Sequence, residues 1–202
     1  GNVKLGNVEL SFIRDFPHVS VLLNDVSVTD SLFQHHHKSF FIASEVYASL
    51  SLSKLISRQA AIKRLKIKNA AFDLFTDSTG YTNGYLLHPA KDSAVAKKNN
   101  KENDFSLTEI VMDNVQLQIS DAVKNKNHQV MVKHLKTRID KAGDNLEFET
   151  KANLQVESLS FNTHRGSYLK HKSFEGNFNF IYQSLQHKLV FDNILVKLQG
   201  QP

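Results

Sequence analysis

Leu146-Glu-Phe-Glu-Thr-Lys-Ala-Asn-Leu-Gln-Val-Glu157 sorts its side chains by parity. Leu146, Phe148, Thr150, Ala152, Leu154 and Val156 fall on one side, and Glu147, Glu149, Lys151, Asn153, Gln155 and Glu157 on the other. A period of two is the signature of a strand with one face buried and one face wet. The same alternation runs through Phe174, Gly176, Phe178, Phe180 and Tyr182, opposite Glu175, Asn177 and Asn179. In Phe40–Leu52, one parity holds Phe40, Ile42, Val46, Ala48, Leu50 and Leu52, and the other Ala43, Glu45, Tyr47, Ser49 and Ser51.

Extended outward, this reading predicts a mainly β chain of about eleven strands. They fall near 3–13, 19–29, 40–52, 60–67, 69–76, 105–112, 114–121, 128–140, 145–157, 170–182 and 185–198. Several exceed the common strand of about 5–6 residues, which implies a tall sheet. Short links with turn chemistry, such as Lys141-Ala-Gly-Asp-Asn145 and Asp77-Ser-Thr-Gly-Tyr-Thr-Asn-Gly84, predict antiparallel neighbours in a meander. Helix is confined to one or two very short pieces, with Ser53–Arg58 the main candidate. The polar, aperiodic stretch 87–104 reads as a flexible insertion between a sheet segment over 1–86 and its continuation over 105–202.

Two segments flanking that insertion repeat at an offset of 45 positions. Ile62, Leu65, Ile67, Asn69, Phe72 and Leu74 stand against Leu107, Ile110, Met112, Asn114, Leu117 and Ile119. Each copy reads as a strand, an Asn-bearing corner and a return strand. Looser versions occur in Leu22-Leu-Asn-Asp-Val-Ser-Val-Thr-Asp30 and Asp192-Asn-Ile-Leu-Val196.

Composition narrows the function. With 202 residues, 41% hydrophobic and 22% charged, the chain is ordinary globular material. It has no Cys, which removes thiol catalysis, disulfides and Cys-ligated zinc. A net charge of +5 is scattered among acids, except at Arg58–Lys68 and Lys97–Lys101, which favours a solvated surface over a nucleic-acid footprint. Of the histidines, only His35-His36-His37 cluster, and they read as an exposed loop because three adjacent residues do not converge on one metal. No Gly-x-Ser-x-Gly or phosphate-cradling glycine loop occurs; Gly80-Tyr-Thr-Asn-Gly84 lacks the lysine and the helix. Glu147 and Glu149 are explained by their outward strand register. The chain is therefore read as non-catalytic and without a cofactor.

The greasy face is then the informative feature, since the sequence supplies little helix to cover it. A second sheet, a closed barrel or an open trough holding something apolar would each hide it.

Val8-Glu-Leu-Ser-Phe-Ile-Arg-Asp-Phe-Pro-His-Val-Ser-Val-Leu-Leu-Asn-Asp-Val-Ser-Val-Thr-Asp30 resembles the N-terminal region of AsmA-like proteins, with its Phe-Pro bend between two strands. Ala43–Ile56 resembles the family's long strand ending in a short helix. Ile62–Asp77 followed by Gly80-Tyr-Thr-Asn83 resembles its strand, return strand and Gly-x-x-Asn turn. The resemblance is good over 3–85 and looser over 105–200. This family, related to TamB and the chorein-like bridge lipid transfer proteins, implies an antiparallel sheet strongly curled into an open, taco-like groove that conducts phospholipid. It also implies residence in the periplasm of a Gram-negative envelope and an inner-membrane anchor through an N-terminal helix that this chain lacks. The abrupt start at Gly1 and the uncapped strand Leu195–Gly200 read as a fragment. With the alternation, the family expectation nominates Phe40, Ile42, Val46, Leu50, Leu52, Leu146, Phe148, Leu154, Val156, Phe178 and Phe180 as the acyl-chain lining. The alternative is a β-sandwich interaction module whose halves cover each other while its loops meet envelope proteins or glycan.

Overall fold

A computed structural model describes residues 1–15, 18–51, 61–87 and 106–199. The Phe16-Pro17 bend, Ser53–Arg58, Leu52, Lys97–Lys101 and nearly all of the 87–104 insertion lie outside those residues. The strands are β1 (Asn2–Lys4), β2 (Asn7–Asp15), β3 (His18–Thr29), β4 (Phe41–Ser51), β5 (Ile62–Thr76), β6 (Glu109–Asp121), β7 (Lys126–Ala142), β8 (Asn145–Ser160), β9 (Leu169–Gln183) and β10 (Lys188–Gln199). A four-residue helix, α1 (Phe33–His36), and three single 3₁₀ turns are the only helical pieces among the described residues. The fold is mainly β, as the alternation requires. One ten-stranded sheet runs β1-β3-β4-β5-β6-β7-β8-β9-β10, with β2 also on β3. No second sheet packs on it among the described residues, and the sheet is not strongly curled, unlike the taco shape that the family resemblance implies.

The meander breaks once. β5 and β6 pair in parallel, from Arg64 beside Glu109 to Thr76 beside Asp121. Parallel neighbours need a crossover of a dozen or more residues, and the long connection after Thr76 provides it. The chain returns beside the start of β5, where Ser106 Oγ and Thr108 Oγ1 donate to the carbonyls of Ile62 and Lys63 at 3.1 and 2.9 Å. The 45-residue repeat is this parallel register: each residue of β5 lies beside its own counterpart. Asn69 and Asn114 are therefore not corners between separate strands. Each lies inside one continuous strand, with φ of 48° and 56°, and Asn114 Nδ2 donates to Asn69 Oδ1 at 2.8 Å.

These two asparagines belong to a row crossing the sheet through Gly6, Asp25, Ser44, Asn69, Asn114 and Lys133, each flanked by paired residues. Asp25 is also left-handed, at φ 51°, and Lys133 sits at a bulge against β8. At this row the alternation loses one step. Leu23 and Val26 share one core cluster although three residues apart, as do Ala43 and Val46, Ile67 and Ala70, Met112 and Val115, and Val132 and Leu135. Strict alternation would put each pair on opposite faces. Asn and Asp suit the kink because short polar side chains tolerate the left-handed region. Because the slips line up, β3 to β7 each turn their apolar set to the same face above and below the row.

At one end of the sheet, β4 begins only at Phe41, so the edge of β5 beyond it needs other partners. Phe40 O accepts from Asp73 N at 3.0 Å. Asn83 then stands in for the missing strand, its Oδ1 accepting from Phe75 N at 2.9 Å and its Nδ2 donating to Asp73 O at 2.6 Å. α1 folds over Phe75, and His36 is held there rather than in an exposed loop. Its Nε2 lies 2.9 and 3.0 Å from the two carboxylate oxygens of buried Asp30, which also accepts from Tyr81 OH at 2.9 Å.

Candidate functional site

The two faces of the sheet have different chemistry. On the polar face, charges on adjacent strands meet: Lys68 with Glu45 at 2.7 Å, Lys66 with Asp113 at 2.9 Å, Lys136 with Glu109 at 3.0 Å and Arg138 with Glu149 at 3.3 Å. His134 Nδ1 adds a contact to Asp113 at 2.6 Å. Burial alone would raise the Asp113 carboxyl, but the hydrogen bonds from His134 and Lys66 more than cancel it and leave it below the usual range. Asp73 moves the other way: burial raises it, and Lys38 and His36 offset only part of the effect. Two shallow grooves of about 500 and 470 Å³ cross this face over β7–β10, lined by Lys136, Lys151 and Asn177 among others. Neither lining holds a Ser or Cys nucleophile. No group of three or more metal-ligating side chains occurs among the described residues.

The apolar face is continuous in rows that cross the strands. One row reads Val26, Ala43, Ala70, Val115, Val132, Leu154, Phe174 and Leu198. On the other side of the slip, another reads Leu23, Val46, Ile67, Met112, Leu135, Ala152, Gly176 and Val196. The face nevertheless divides in two. Over β3–β7 it is built of Val, Ile, Ala, Leu and Met with the packed Phe41–Phe72 pair, and its centre is closed to water, with Val115 at 0% and Val132 at 2% exposure. Beyond β8, whose Thr150, Ala152 and Val156 are buried, it becomes richer in aromatic side chains and more open toward β9 and β10. Phe148 stacks on Phe180 with centroids 4.5 Å apart and planes 9° apart, and Phe180 meets Phe191 at 5.9 Å. Phe191 is 55% exposed, and Leu189, Val196 and Leu198 are exposed beside it.

The nominated lining residues divide along the same boundary. Leu146, Phe148, Phe178 and Phe180 lie half-buried on the open half, Leu154 is half-buried at the seam, and Val156 beside it is buried. Val46 and Leu50 share the apolar face but belong to the covered half, with Val46 against the core cluster. Phe40 is buried in that cluster, with its ring edge-on to Phe72 at 6.3 Å. Ile42 is a correction. It lies on the polar face, 48% exposed, in a groove with Asp73, Gln116 and Gln118. The slip at Ser44 reverses the parity on which Ile42 was grouped with Val46, so Phe41 and Ala43 take the apolar side. Leu189, Phe191, Val196 and Leu198 were not nominated. Their signal was present in Lys188–Gln199, but a register shift between Phe191 and Asn193 splits it into two parities.

No protein-family model matches this chain, and no curated protein matches it.

Proposed function

We propose that this chain is a non-catalytic, AsmA-like part of a Gram-negative envelope protein that binds or guides phospholipid acyl chains along the apolar face of its sheet. The observation that carries the reading is the open aromatic half over β8–β10, an apolar wall with no second sheet or long helix laid across it among the described residues. Such a wall needs no polar chemistry to hold an acyl chain. Each buried methylene contributes about 0.8 kcal/mol, and the lack of directional contacts lets the chain slide. The covered half over β3–β7 supplies the stability that lets the other half stay open. Periplasmic residence and an inner-membrane anchor outside this chain follow from the same family reading.

A photo-crosslinking amino acid separates the two faces. Placed at Phe148 or Phe180 in the protein expressed in a bacterial envelope, it should yield phospholipid adducts by mass spectrometry. Placed at Lys151 or Asn177 on the polar face, it should yield none. Equal labelling from both faces, or none from either, would overturn the proposal.

A further inference from the structure

Two neighbouring loops at one end of the sheet are enriched in basic side chains. At one end, the β6–β7 and β8–β9 connections lie side by side, with Asp121 pairing with Lys126 and Asn127 with Ser160. Thr163 N donates to Asn125 O at 2.7 Å and ties the two loops together. No Asp or Glu occurs from Ala122 to His128 or from Ser158 to Lys172, whereas Lys124, Lys126, Arg165, Lys170 and Lys172 do. Three acids lie beside these loops: Asp121 accepts from Lys124 N at 2.8 Å and stands 3.9 Å from Lys124 Nζ, Glu157 meets His171 at 2.9 Å, and Asp77, which lines a groove with Asp121 and Lys126, accepts from Thr79 and Tyr81 N. At the other end, the β7–β8 hairpin mixes Asp140, Asp144, Glu147 and Glu149 with Arg138 and Lys141, Arg138 pairing with Glu149 at 3.3 Å.

The same two basic loops carry exposed rings. Phe161 is 51% and Tyr168 65% exposed, and Val123 stands exposed on the neighbouring loop. Large apolar side chains ringed by Lys and Arg are the chemistry of an interfacial anchor: the rings enter the headgroup layer and the cations meet lipid phosphates. We infer that this end, with Val123, Phe161 and Tyr168 surrounded by Lys124, Lys126, Arg165 and Lys170, docks on the surface of an anionic phospholipid bilayer. Charge complementarity selects an anionic partner, and the shape selects a bilayer over a nucleic acid. Phe161 and Tyr168 meet edge to face, at 5.6 Å and 63°, so they offer no parallel platform for stacked bases. Val123 adds an aliphatic side chain that bases do not use. The docking does not depend on whether the sheet face holds acyl chains.

The chain has no Trp, so a single introduced indole reports without background. F161W and Y168W are the reporters. L185W is the control, because Leu185 is exposed at the opposite end of the sheet. With vesicles of phosphatidylcholine and phosphatidylglycerol, emission of F161W and Y168W should move to shorter wavelength, and that of L185W should not. Vesicles of phosphatidylcholine alone should leave all three unchanged. The combined variant K124Q/K126Q/R165Q/K170Q should float with anionic vesicles at least about tenfold less than the parent chain. If it does not fold by circular dichroism, the indole reporters alone decide. Unmoved emission at 161 and 168, an equal shift at 185, or a response to a single-stranded oligonucleotide without one to vesicles would each overturn the assignment. These outcomes leave the crosslinking result on the sheet face unaffected, so the two ideas fail separately.

Discussion

The apolar halves of the sheet, over β3–β7 and over β8–β10, follow the same binary rule yet end in different states. The first is interrupted in every strand by the aligned slip row, packs branched side chains with the Phe41–Phe72 pair, and excludes water from Val115 and Val132. In the second, β8 alternates without interruption from Leu146 to Val156, Phe148, Phe180 and Phe191 form an aromatic row, and water reaches Leu189, Phe191, Val196 and Leu198 on β10. An apolar stripe thus specifies which way side chains point, while their coverage depends on size and on what crosses them. The covered half holds the fold, and the open half is free to meet a ligand.

The largest effect should come from placing a charge in each half. Val115→Asp buries an uncompensated carboxylate where no water reaches and should cost more than about 4 kcal/mol, leaving little folded protein in a urea titration. Phe191→Asp on the open half should stay within about 1 kcal/mol of the parent, because its carboxylate remains hydrated. Similar losses from both would erase the distinction between the halves.

A middle-sized effect should come from the slip row. Asn69→Val and Asn114→Val force a β-branched residue into the left-handed region and should each cost about 2 kcal/mol in the urea midpoint. Asn69→Gly keeps the conformation and gives up only the bond to Asn114, so it should lose less than about 1 kcal/mol. If valine and glycine behaved alike, the kink would not be what aligns the covered half.

The smallest effect concerns two acids on the polar face behind that half. Asp113 has a lowered folded-state pKa, so its contribution is present above the unfolded value near pH 4 and fades as pH falls through the folded one. Its carboxylate is partly solvated, so Asp113→Asn should cost well under 1 kcal/mol at pH 7 and flatten the acid limb of the stability curve. Asp73 has the opposite sign. Its raised pKa means that stability present below the unfolded value is lost as pH rises through the folded one, and its Oδ1 is buried without a partner. Asp73→Asn should therefore leave the protein equally stable or up to about 1 kcal/mol more stable at pH 7, measured by the same titration.

Where alternation is unbroken, as in Leu146–Glu157, reading the residues was enough to place Leu146, Phe148, Leu154 and Val156 on one face. Where a slip intervenes it misled, grouping Ile42 with Val46 and splitting β5 and β6 into hairpins at Asn69 and Asn114. Parity is a local property, and a single left-handed residue resets it without changing the composition of the strand. The repeat itself was visible at its full 45-residue offset, but its meaning was not.

The order of apolar and polar side chains determined by itself that this protein is a sheet with one oily face, since period-two burial has no other regular solution. Strand direction and coverage were decided only in three dimensions. Nothing in β5 or β6 alone says that they run parallel, because the choice depends on where a distant connection returns. Nor does a run of Phe say whether it will be roofed, since that depends on which neighbours the whole chain brings across it.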